Sequence, residues 1–184
     1  MRYIALLPMS GYLEQYCRFH GGTLAMPDGE ECVNISFNSI ASRWLPKYLV
    51  PYANTEVVKA KGLLPDVGSH NGKSETWVRI GIKNLQNQQG RAVNETKDTV
   101  YVLGRFGRSI ILEAIQIVFD TALIEDWQRT CADYDKTFMV PTKKLFINAW
   151  LESNGITVGD TEYEAVMKRL TRLLDAAREC VEQT

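Results

Sequence analysis

One stretch of this chain dictates more about its fold than any other. From Ser109 onward, Ile110, Ile111, Leu112, Ala114, Ile115, Ile117, Val118 and Phe119 follow one another with little polar relief. Wound into a helix, these side chains cover most of its circumference, and a helix apolar on most sides must be covered on most sides. In a chain of 184 residues, a second copy of the same chain is a ready cover. The pattern therefore predicts a homodimer.

The remainder has the composition of an ordinary folded protein: 45% of residues are apolar and 23% charged, with a formal net charge of −1. Such a chain can bury a core and is not disordered throughout. It is read as one domain spanning 1–184, with a central part at about 74–130 and supporting segments 1–73 and 131–184. No apolar run approaches the roughly 18 residues of a membrane span. The opening Met1–Pro8 is too short for a secretory signal, so the expected location is cytoplasmic, with no membrane partner.

The near-neutral total hides a segregation of charge. Residues 1–39 carry a net −2, residues 40–110 a net +6, and residues 111–184 a net −5. A basic middle beside an acidic end suits a face for a polyanion, although lysines scattered in solvent give the same count.

Local patterns predict an α+β, helix-rich protein. Residues 2–7 and Val33–Phe37 read as strands, and Ser10 as the cap of a helix that Gly21-Gly22 ends. Ser39 reads as the cap of an aromatic-rich segment, Ile40–Tyr52, which Pro46 and Pro51 restrict to short helical pieces. Thr55–Lys61 reads as a short helix and Gly62–Lys73 as a loop. Thr76–Lys83 alternates cleanly, with Val78, Ile80 and Ile82 on one face and Trp77, Arg79, Gly81 and Lys83 on the other. A polar stretch, Asn84–Asp98, leads to a second strand, Thr99–Leu103. After about Thr130 an acidic loop precedes a helix near Thr142–Ser153. The last helix opens on a capping box at Thr161–Glu164 and carries an apolar stripe through Val166, Leu170, Leu173, Leu174, Ala177 and Val181.

Few residues invite catalysis or metal binding. Cys17, Cys32, Cys131 and Cys180 lie far apart with no close pair, which fits neither a disulfide framework nor a structural zinc site. Gly68–Ser74 ends like a phosphate-binding loop, but Val67 stands where that loop requires glycine, and a strand pattern follows it instead of a helix. No metal or cofactor is expected. Cys17 and His20 share a helix face and offer the one thiol–imidazole pair, the basis of a less favoured reading as a small enzyme.

The basic middle has a more specific shape. A two-stranded antiparallel ribbon fits the major groove of B-DNA when one face is apolar and the other carries long basic groups. Thr76–Lys83 meets that description, with Arg79 and Lys83 pointing outward, Lys73 just ahead and Trp77 beside them. An ordinary amphipathic strand with a solvated basic face meets it equally. Arg105-Phe106-Gly107-Arg108-Ser109 then precedes the apolar helix. There Ser109 as cap, with Arg105 and Arg108, would suit a phosphate at a helix N-terminus.

Strand, helix, and a further helix whose start grips phosphate is an order that resembles the ribbon-helix-helix DNA-binding regulators. Gly107–Ile115 looks like the opening of that family's second helix, and the size and helical additions look like the AcaB-like transcriptional activators. The resemblance spans about residues 74–122. It implies a ribbon-helix-helix-like core with N- and C-terminal helical additions. It further implies a homodimer that binds double-stranded DNA at operators and activates conjugative-transfer genes of plasmids and integrating elements, with transcription machinery as a further contact. Arg79 and Lys83 would read sequence, Trp77 would either stack on sugar or turn back into the protein, and Lys73, Arg105, Arg108 and Ser109 would hold phosphate. Asn84–Asp98 lacks the apolar stripe of that family's first helix, and Thr99–Leu103 would instead pair with Thr76–Ile82 as a hairpin. The alternative reading is a subunit of a larger nucleoprotein or effector assembly that tracks RNA or single-stranded DNA, with Trp77 and Tyr101 stacking on bases.

Overall fold

A computed structural model describes residues 5–25, 31–52, 75–82, 100–135 and 142–182. Lys73, Lys83, Thr55–Lys61 and Asn84–Asp98 lie outside the described residues. The chain is α+β and helix-rich, and it divides into two compact units, Met1–Ile115 and Gln116–Thr184.

The first unit holds the strands β1 (Ala5–Ser10), β2 (Thr23–Ala25), β3 (Glu31–Asn34), β4 (Leu49–Tyr52), β5 (Glu75–Gly81) and β6 (Val100–Leu103). It also holds the helices α1 (Gly11–Gly21) and α2 (Ser39–Tyr48) and the start of α3 (Arg105–Asp135). Four strands form a sheet in the order β1-β5-β3-β2, while β4 and β6 make a separate antiparallel pair. The alternation in β1 and β5 is used as the pattern predicts. Register opposes Ala5 to Ile80 and Leu7 to Val78, and these four, with Met9, are all nearly or fully buried.

A second copy of the chain cannot take the place that the ribbon reading gives it. β5 is paired with β1 from Glu75 to Ile80 on one edge. On the other, β3 runs parallel to it at Ile80 and Gly81, in the middle of the expected ribbon. Nor does β5 form a hairpin with Thr99–Leu103, because β6 takes β4 instead, from Leu49↔Leu103 to Tyr52↔Val100. Such pairings join segments far apart in the chain, which local alternation cannot specify.

Two chain reversals fix the unit. Gly22 ends α1 in the left-handed region at φ 69°, a conformation that favours glycine. The Asn38 side chain, almost wholly buried, caps α2 in place of the expected Ser39, its Oδ1 accepting from the Ile40 and Ala41 amides. Its Nδ2 donates to the Ala114 carbonyl at 2.9 Å, tying the start of α2 to α3. Pro46 falls in the last turn of α2 without dividing it, and Pro51 lies in β4.

α3 begins at Arg105, four residues ahead of Ser109. It also runs on to Asp135, through what reads as an acidic loop. Its apolar surface is covered largely within the chain: Ile111, Ala114 and Ile115 are buried in the first unit and Phe119 and Leu123 in the second. Of the apolar side chains between 110 and 119, only Ile117 is exposed. The helix therefore does not require a partner for its burial, and the sequence argument for a dimer loses its force.

The second unit comprises the rest of α3, α4 (Lys143–Ser153) and α5 (Asp160–Glu182). Thr142 caps α4 through the Leu145 amide. Phe119 meets Trp150 edge to face at 5.2 Å, and the fork of Arg169 on α5 closes on Asp120 of α3. Val166 and Leu170 of the α5 stripe are buried, whereas residues 175–180 are exposed. No described helix is long and apolar enough to cross a membrane.

Candidate nucleic-acid interface

The start of α3 and the polar face of β5 meet. Trp77 and Arg79 alternate with the buried Val78 and Ile80, and register places them beside Pro8 and Leu6 of β1. All four are partly exposed. The Arg108 guanidinium lies over the Trp77 ring, 5.1 Å from its centroid, a cation–π geometry. Two residues that the sequence marks 31 positions apart are thus brought into contact, and they come from an interior strand and a helix N-terminus.

Arg105 and Arg108 lie one turn apart, and neither forms an ion pair with a described residue. Partial burial, and secondarily the nearby Arg105 charge, lower the pKa of Arg108 from its ordinary value. A guanidinium nevertheless stays charged at neutral pH. Two cations crowded at the positive end of a helix dipole favour an anion there, since an anion relieves both their mutual repulsion and the unpaired helix amides.

Ser109 does not act as the cap. Its hydroxyl donates to the Arg105 carbonyl at 3.3 Å, one turn back, and the Arg108 amide is already bonded to Gly104. The amides without intrahelical partners belong to the first turn, Arg105 to Gly107. Gly107 is required where it stands: a Cβ there would lie 2.7 Å from the Tyr48 Cβ. That close approach sets Tyr48 against Phe106, ring centroids 5.7 Å apart, and Trp44 lies 6.0 Å from Tyr48 on the same helix. The strand and helix-start pattern legible in the sequence gives no role to Trp44, Tyr48 or Phe106. A signal was available, in that Trp44 and Tyr48 are one helical turn apart and alternate with Arg43 and Lys47.

The candidate thiol–imidazole pair is not set up for chemistry. Cys17 is fully buried, and burial, with the Glu14 charge adding to it, pushes its thiol pKa up to about 12. At neutral pH it is a thiol and therefore a poor nucleophile. His20 is exposed and stacks on Tyr16, with ring centroids 4.3 Å apart. No group of three potential metal ligands occurs among the described residues.

A cleft of about 310 Å³ lies within the second unit, lined by Asp126, Arg129, Trp150 and neighbours. Its charges are partnered: Asp126 accepts from the Trp150 indole at 3.0 Å and from Arg129 at 2.9 Å. Comparison with known protein families, curated proteins and solved structures returns no match to this chain.

Proposed function

We propose that this protein is a sequence-specific, double-stranded DNA-binding transcriptional regulator. The observation that carries the reading is the seat of Arg108 on Trp77 beside Arg105, a cation pair without a carboxylate partner among the described residues. In this reading Arg105 and Arg108, with the first-turn amides of α3, hold the phosphate backbone and set register. The Trp77 ring braces the Arg108 guanidinium, so less side-chain freedom is lost when a phosphate arrives. Arg79, one step along the same strand face, reaches toward base edges, where a guanidinium can donate twice to guanine. The protein acts as a homodimer, joined through surfaces other than β5, and activates conjugative-transfer genes as the AcaB-like resemblance implies. The DNA approaches the sheet face and helix start of one copy, in place of a ribbon built from two.

Titration of duplex DNA at several salt concentrations tests this. Arg108→Ala is expected to weaken all sequences alike and to lower the salt slope by about one. Arg79→Ala is expected to cost about 1–3 kcal/mol on the preferred site and little elsewhere. Duplex binding that neither substitution changes overturns the assignment.

A further inference from the structure

Phe106 is the most exposed of the large apolar side chains described, at 68%, and it sits between two cationic positions, Arg105 and Arg108. Exposed aromatic rings are ordinary when isolated. This one is not isolated. Phe106 packs edge to face on Tyr48, and Tyr48 continues to the partly exposed Trp44, so three rings form a ladder across α2 and the start of α3. Lys47 stands 5.7 Å over the Trp44 ring. Arg43 is exposed one residue before Trp44.

Among the described residues of the two helix segments that carry the ladder, the charges are of one sign. α2 carries Arg43 and Lys47 and no acid, and the first two turns of α3 carry Arg105 and Arg108 and no acid. The first carboxylate along α3 is Glu113. The ladder is also fixed in place, by the Asn38 tie from α2 to the Ala114 carbonyl and by the close helix approach at Gly107. Rings offered at helical spacing, with cations alternating between them, match a strand whose bases stack while its phosphates run alongside. An uncharged apolar protein surface gives no reason for cations around the patch.

We propose that Trp44, Tyr48 and Phe106 form a stacking platform for the unpaired bases of single-stranded DNA, with Arg43, Lys47 and Arg105 along its phosphates. DNA is the chosen strand because the ladder abuts the helix start assigned above to duplex phosphates, so a strand leaving the duplex at Arg105 meets Phe106 next. The choice of DNA rests on that duplex reading and Arg105 is shared with it, whereas Trp44, Tyr48 and Phe106 are not, so substitutions of the rings test this inference apart from the duplex reading.

The test is fluorescence anisotropy of a labelled oligothymidylate with the full chain, alongside a duplex of equal length and an oligouridylate. Wild-type protein is expected to bind oligothymidylate with quenching of tryptophan emission. Trp44→Ala and Phe106→Ala should each weaken it about tenfold or more while leaving duplex affinity unchanged. Phe106→Leu keeps an apolar side chain without a ring face, and it should lose as much as Phe106→Ala, whereas Phe106→Tyr should retain binding. Circular dichroism melts show that each variant is folded, as expected for changes at exposed positions. Full binding by Phe106→Leu, failure of wild type to bind oligothymidylate, or tighter binding of oligouridylate overturns the proposal. So does a wild-type dimer that Phe106→Ala dissociates without any effect on oligothymidylate.

Discussion

The two halves of α3 use charge in opposite ways. Along its second half, Asp120 receives the fork of Arg169, Nη2 to Oδ2 at 2.7 Å with Nε on the other oxygen. Asp126 takes Arg129 and the Trp150 indole. Along its first half, the tie to the rest of the fold is neutral, Asn38 to the Ala114 carbonyl. There the cations, Arg105 and Arg108, are turned outward or laid on a ring. In one helix, then, Asp120 and Asp126 reach α5 and α4, while Arg105 and Arg108 form no ion pair with a described residue. Charge satisfied internally contributes to folding; charge left crowded and unpaired is stabilised only when a counter-charge arrives.

The comparison breaks if these roles are exchanged. Its largest test is Arg169→Ala, which strands the Asp120 carboxylate at a site where both side chains are only about a quarter exposed. The expected loss is about 3 kcal/mol of stability by denaturant unfolding, with duplex binding intact. Asn38→Ala removes the α2 cap and the tie to α3 together and is expected to cost about 2 kcal/mol. Because that tie is neutral, its loss should be the same at low and high salt, which separates it from the Arg169 fork. The smallest effect on folding belongs to Arg105→Gln, within about 0.5 kcal/mol either way. The same variant should lower the salt slope of duplex binding by about one. An Arg105→Gln protein that unfolds easily, or an Arg169→Ala protein that loses DNA at full stability, contradicts the division.

The strand at Thr76–Lys83 is legible because its signal is local: apolar residues at every second position must share a face, and Val78 and Ile80 do. Its neighbours are not legible. β1 and β3 arrive from about 70 and 45 residues away in sequence, and period-two alternation in each strand carries no information about which other strand lies beside it. The start of α3 is obscured for a different reason. Gly107 precedes the Ser109 that reads as a cap, yet it lies inside the helix, at a point where Tyr48 leaves no room for a Cβ. Trp44 and Tyr48 fall in an aromatic-rich segment that Pro46 and Pro51 restrict to short helical pieces on pattern alone, and that pattern gives neither ring a place. Only the crossing of α2 over α3 leaves their rings at the surface.

Of the candidate contacts, Trp77, Arg105 and Arg108 are brought together, with Arg79 next along the strand. Ser109 serves its own helix. The choice of these residues came from residue type, a basic strand face followed by arginines at a helix start. Their contact came from packing, since nothing in the spacing from 77 to 108 specifies a ring beneath a guanidinium.

Periodicity and charge, then, are properties of neighbours in the chain, and the residues alone determined the β5 alternation, the existence of α1, α4 and α5, and the basic middle between acidic flanks. Which apolar face covers which is a property of distant segments meeting. The tertiary structure alone decided that the greasy stretch of α3 is clothed largely from within, and that β5 lies inside a sheet. It alone decided that a row of rings stands in water beside cations. The physical reason is that hydrophobic burial has no direction of its own, so a sequence can demand cover without saying what supplies it.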